Sequence, residues 1–211
     1  MSQPERETAR QEIAFCAAVL AKGGATVLTE TLRGVARPDA WTKYPAGEVF
    51  DPESGAHWFY HCHDPSVPVG AGSTAAAGAE GGSGEHGHFH CFVRPAGPDG
   101  PIHHLVAVGV DAQGALTRLF TVNQWVVGDD WLDAAGTIAL LPRFDVHMPQ
   151  PNYLVNRWLT AVLTAYEPEI VTLIEARDAA IAAHRPEDGS DPRASRALEV
   201  TAEFTVGQGG T

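Results

Sequence analysis

Two short runs of alternating residues constrain this chain more than any other feature: His57-Trp-Phe-Tyr-His-Cys-His63 and Glu85-His-Gly-His-Phe-His-Cys-Phe-Val-Arg94. Their aromatic density, with Asp64-Pro65 closing the first and Pro95 the second, reads as β-strand in both cases. Alternate side chains of a strand share a face. His61 and His63 therefore point one way, and so do His86, His88 and His90. Antiparallel pairing with His61 opposite His88 sets His63 against His86 and His90 against Phe59, which gathers five imidazoles on one patch. A register slip of two residues keeps the patch, whereas a slip of one breaks it. Tyr60, Cys62 and Cys91 fall on the other face, where core packing is expected.

Eight of the ten histidines lie between residues 57 and 104. Five clustered imidazolium ions would repel one another, and five neutral rings would each need a partner for an N–H group. A transition-metal ion removes both problems, because it takes the neutral ring nitrogen and fixes the tautomer. The candidate ligands are His61, His63, His86, His88 and His90. His104 is a sixth, since His103 and His104 project to opposite faces and only one can join the patch. Iron, copper and zinc all accept imidazole. Glu85 could complete a two-histidine-one-carboxylate iron set or serve as general base, while zinc would favour three histidines plus water. The expected cofactor is thus a transition metal ion (Fe, Cu or Zn), and the expected partner a small-molecule substrate.

Around the patch, Arg118 is a candidate clamp for a carboxylate or phosphate, with a structural salt bridge as its plainer role. Asn123 and Trp125, at the end of the fourth predicted strand, are candidates to orient substrate, with turn formation or packing as the alternative. Glu48 and Asp51 either lend carboxylates to the site or cap their loop.

The remaining pattern supplies the scaffold. Residues 4–22 read as a helix ended by Gly23-Gly24. Residues 26–34 are undecided between helix and strand, and the turn-rich 38–55 reads as an ordered surface loop. Residues 65–84, rich in Gly, Ala and Ser, read as a flexible insertion or a lid. Strands are expected over 102–110 and 115–127, a short helix over 129–135 capped by Asp129 or Asp130, and helices over 152–166 and 170–184. A linker at 185–192 precedes an alternating stretch, 198–206, that can return to the sheet as a late strand. The fold class is α+β: an antiparallel β-meander bearing the histidine cluster, packed with N-terminal and C-terminal helices in one domain, 1–211.

Composition narrows the function classes. The net charge of −12, without a basic stripe, argues against nucleic acid and anionic lipid as partners. No apolar stretch approaches the roughly 20 residues of a membrane span. Three scattered cysteines and a polar N-terminus favour a cytoplasmic, reducing setting. The oligomeric state is left open, a homo-oligomer included.

The segments Tyr44-Pro-Ala-Gly-Glu-Val-Phe-Asp-Pro-Glu-Ser-Gly-Ala56, Tyr60-His-Cys-His63, Glu85-His-Gly-His-Phe-His90 and Leu119-Phe-Thr-Val-Asn-Gln-Trp125 together resemble an uncharacterised bacterial family of unknown function, over roughly residues 40–185. That resemblance implies no activity. Separately, His86-Gly-His88-Phe-His90 resembles the signature of the histidine-triad nucleotide hydrolases and transferases, which implies His88 as a nucleophile toward phosphorus. The Gly87 position, where that family has a bulky apolar residue, departs from the pattern. A third class, a metal-binding or metal-sensing protein without catalysis, fits the same histidines.

Overall fold

The computed structural model describes residues 2–62 and 84–207, so His63 and the expected 65–84 insertion, apart from Gly84, lie outside the described residues. In chain order the elements are α1 (Gln3–Lys22), α2 (Val27–Thr31), β1 (Tyr44–Phe50), β2 (Ala56–Cys62), β3 (Glu85–Val93), β4 (His103–Asp111), β5 (Leu116–Val122), α3 (Gln124–Val127), α4 (Ala134–Leu140), α5 (Tyr153–Ala165), α6 (Glu167–Ala183) and β6 (Val200–Thr205). The six strands form one antiparallel sheet in the order β1 to β6, each paired with its neighbours in sequence. This is an α+β meander flanked by N-terminal and C-terminal helices. The stretch expected over 198–206 does return to the sheet, as β6 on the free side of β5.

Local chemistry explains the elements. Ser2 caps α1, receiving the Glu5 backbone N–H while the Glu5 carboxylate reaches back to the Ser2 N–H. Pro168 sits in the first turn of α6, where its missing N–H costs nothing. The helical spacing in α5 buries Val155, Trp158, Leu159 and Val162 in the main core. There they meet Trp58, Tyr60, Phe89, Cys91, Val106, Val108 and Leu119 from one face of the sheet, together with Ile170 and Ile174 of α6 and Leu20 of α1. Trp58 donates its indole N–H to Asn156 of α5 at 2.9 Å, and Asn156 donates in turn to the carbonyls of Met148 and Gln150. Every polar group of that buried junction is thereby paired.

Three expectations are corrected. The stretch 38–55 is not wholly loop: Tyr44–Phe50 is an edge strand whose register shifts between Tyr44 and Val49. Pro45 and Gly47 are tolerated because an edge strand with a bulge asks less of its ladder. The fourth strand ends at Val122, not 127, because the Asn123 side chain caps a short helix. The helix expected over 129–135 runs instead from Ala134 to Leu140, capped by Asp133, and Asp129 serves the sheet (below).

The second face of the sheet carries His57, Phe59 and His61 from β2, His88, His90 and Phe92 from β3, His104 and Ala107 from β4, and Phe120 and Val122 from β5. Ala107, Phe120 and Val122 are covered by Val126 and Val127 of α3. This face is buried and largely aromatic, with the histidines set among apolar rings.

Candidate metal centre

The β2–β3 register is the expected one, with His61 opposite His88 and Phe59 opposite His90. His61, His88 and His90 bring their Nε2 atoms together. The His61–His88 separation is 2.8 Å, the His88–His90 separation 3.1 Å, and all three donor atoms lie within 4.8 Å of one another. His90 is wholly buried, His88 3% exposed and His61 9%. A clustered tri-histidine site capable of coordinating a metal ion is therefore present. Nitrogens held 2.0–2.1 Å from one ion would stand about 2.9 Å apart at right angles and about 3.4 Å apart at tetrahedral angles. The His61–His88 and His88–His90 separations are of that size.

Two of the three rings are oriented from behind. His88 directs Nδ1 at Oε1 of Glu85, 3.1 Å away. Glu85 also accepts from Arg118, whose Nε lies 2.6 Å from Oε2, and Arg118 continues to Glu203 at 2.9 Å. Burial pushes the Glu85 pKa up, but the hydrogen bonds from His88 and Arg118 outweigh it and leave the carboxyl below its ordinary value. Ionised Glu85 accepts the Nδ1 proton of His88, which turns the Nε2 lone pair toward the cluster. His90 places Nδ1 3.1 Å from Nε2 of His104. Burial, with Arg177 and His88 adding to it, holds the His104 pKa down at about 3, so that ring stays neutral. A neutral His104 can accept from His90 Nδ1, and in that tautomer His90 Nε2 is an inward lone pair.

Backbone irregularity builds this arrangement. Along β3, Glu85 pairs with Asp111 and Gly87 with Val110, so His86 is an extra residue in a bulge. The bulge brings Glu85 onto the histidine face and carries His86 to the other, which is why the expectation that His86 joins His88 and His90 fails. There the Tyr60 hydroxyl, kept protonated by burial, hydrogen-bonds His86 Nδ1 at 2.6 Å. Gly87 makes this crossing possible. A Cβ there would collide with the Tyr60 hydroxyl and the His61 carbonyl, and would sit 2.7 Å from Tyr60 Cζ. Gly109 of β4 similarly leaves room for the Glu85 carboxylate on its way to Arg118. A second bulge, in β4 at Leu105, sets His104 opposite Phe92 and behind His90. The carboxylate of Asp129 holds that turn by accepting the His104 backbone N–H at 3.0 Å.

The other candidates separate from the cluster. Arg118 is engaged by Glu85 and Glu203 and lies over the Phe120 ring, so its guanidinium serves the site as an anchor and not as an open clamp. Asn123 caps α3 and donates to the carbonyls of Pro192 and Leu198; the Trp125 indole also donates to Leu198. Both residues are thus tied to the segment before β6, which sequence alone could not bring to them. Asp51 caps its loop, accepting backbone N–H groups from Glu53, Ser54 and His147. Glu48 pairs with His57, whose Nδ1 accepts from Arg94, as a separate ion-pair chain on the same sheet face. Sequence reasoning missed Trp41, which stands edge-on to His61 with ring centroids 5.5 Å apart. Its only sequence signal was a large aromatic in a turn-rich stretch.

The fold and site define a class: a six-stranded antiparallel meander with a buried tri-histidine centre on one sheet face and its helical core on the other. The chain belongs to the family described as "Domain of unknown function (DUF6969)", whose model matches residues 7–206. A search of curated proteins and one of solved structures gave no significant match.

Proposed function

We propose that this protein is a metal-dependent enzyme acting on a small molecule, with His61, His88 and His90 holding one transition-metal ion. The observation that carries this reading is the convergence of three Nε2 atoms on one point, two of their rings being turned that way by Glu85 and His104. Imidazoles packed so closely in a buried, aromatic environment are unfavourable as cations, and a shared ion lets all three stay neutral. Iron, copper or zinc would supply Lewis acidity or activate water or dioxygen there. The chain's own contribution is positional. Glu85 and Arg118 fix the His88 tautomer, His104 fixes that of His90, and the Phe59, Phe92 and Phe120 rings exclude water around the nitrogens.

The histidine-triad reading fits less well. A nucleophilic His88 Nε2 needs a clear line to phosphorus, yet the Nε2 atoms of His61 and His90 flank it at hydrogen-bond distance. A purely metal-holding role would use the same nitrogens but offer no exchangeable position. Titrating tag-free, metal-stripped protein with Co2+ tests these together. The enzyme reading expects one equivalent bound, loss of binding in His88→Ala and His90→Ala, and a change in the cobalt visible spectrum on adding azide. Absence of stoichiometric binding would sink the metal reading, and a spectrum indifferent to azide would leave only the metal-holding role.

A further inference from the structure

Trp41 is 62% exposed although it touches a candidate metal ligand, and its backbone is left-handed, with φ 65°. A bulky side chain seldom adopts that conformation, and such strained residues concentrate where a ligand is handled. The turn that imposes it is tied down on both sides. The Trp41 N–H donates to the Cys62 carbonyl at 3.1 Å, the Thr42 N–H donates to the Asp39 carbonyl at 3.3 Å, and the Asp39 N–H donates to the Tyr44 hydroxyl at 2.9 Å. The indole is therefore presented beside His61 by a rigid support while much of its surface faces solvent. Two residues on, Lys43 sets its ammonium 4.2 Å above the Phe59 ring, and Phe59 packs against His61 and His90. Lys43 is half-exposed and also bonds Glu48 at 2.7 Å.

Charge points to the second half of the ligand's chemistry. His61, His88 and His90 contribute no negative charge when neutral, and the Glu85 carboxylate is answered by Arg118. A divalent ion on these three nitrogens keeps its full charge toward any open position, in surroundings of low polarity. The group best suited to meet it is an anion, and the Lys43 ammonium, paired with Glu48 at 2.7 Å, offers a hydrogen-bond donor on the same approach.

Resting on the metal reading above, we infer that the substrate is a small aromatic anion, a carboxylate or phenolate, whose ring lies on Trp41 and whose oxygen is directed to the tri-histidine centre past Lys43. Stacking on an indole is worth roughly 2- to 10-fold in affinity, and loss of one exposed cation a few-fold.

The test uses the full chain loaded with Co2+ and follows the cobalt visible spectrum during titration with benzoate, cyclohexanecarboxylate and benzylamine. Benzoate is expected to bind roughly 2- to 10-fold more tightly than cyclohexanecarboxylate, and benzylamine not at all. In Trp41→Gly the preference for the aromatic ring disappears, while the melting temperature stays within about 3 °C of the parent because glycine accepts the left-handed backbone. In Lys43→Gln both carboxylates weaken alike. Equal affinity of the two carboxylates in the parent protein, or an unchanged preference in Trp41→Gly, overturns this inference and leaves the metal reading standing. Failure of the parent protein to bind Co2+ overturns both.

Discussion

At the scale of single residues, the proposed metal centre depends on what stands behind its three histidines as much as on the histidines themselves. On the proposed metal reading His104 and Glu85 each orient a ring from behind, and partners of this kind are typically worth 10- to 100-fold in metal affinity. His104→Ala is expected to lose affinity within that range in a competition titration against a chelator while keeping its far-ultraviolet circular dichroism; unchanged affinity would remove His104 from the account. Glu85→Gln should also lose affinity. Glu85→Ala should in addition cost about 3–5 kcal/mol of stability by denaturant titration, because it leaves the largely buried Arg118 guanidinium with only the exposed Glu203. The alternation of His61, His88 and His90 was readable from period two alone. The loss of His86 and the arrival of Glu85 were signalled only by Gly87, since a glycine inside a strand marks a bulge without saying which neighbour it displaces, and the pairing with Asp111 and Val110 locates it.

Among the elements, β3 and β4 do most to assemble the site, and their glycines set its tolerance. Gly87→Ala would push a Cβ into the Tyr60 ring and the backbone of β2 at His61, neither of which can yield cheaply. It is expected to lower stability by about 1–3 kcal/mol and to weaken metal binding together, because His61 moves with its strand. Stability lost without loss of affinity would show the β2–β3 register to be less rigid than described. The central strands were legible because they are dense in aromatics and buried on both faces, and α5 because its apolar residues recur at 3.6. β1 was hidden by Pro45 and Gly47, which signal a turn anywhere except in a bulged edge strand. Trp41 was hidden for a related reason: what makes it notable is a backbone angle and a neighbour, His61, that no local pattern encodes.

Across the whole molecule, Asp51 and Glu48 make stability depend on pH in the same direction, whereas burial raises the pKa of Asp129 and works against them. Burial raises the pKa of Asp51, but three backbone N–H groups outweigh it and hold the carboxyl below its ordinary 3.8; Glu48, bonded to His57, falls from 4.5 to about 2. Because the folded state binds these protons less readily than the unfolded one, their contribution is complete above the ordinary carboxylate range. It drains away as pH falls through about 4 toward 2. The urea midpoint should therefore drop over that interval, and Asp51→Asn should be less stable near neutrality but flatter in acid; a wild-type midpoint that holds steady to pH 3 would contradict this. The net charge of −12 at pH 7 adds self-repulsion only as a diffuse background, and the sheet with its helices accounts for the fold without it. We propose that the histidine face is what the molecule as a whole presents. Diffraction from crystals of reconstituted protein, recorded on both sides of the metal absorption edge, tests that claim most directly. A single anomalous peak bonded to Nε2 of His61, His88 and His90 is the predicted result, and a map with no peak at that point, or with its peak on other residues, would contradict it.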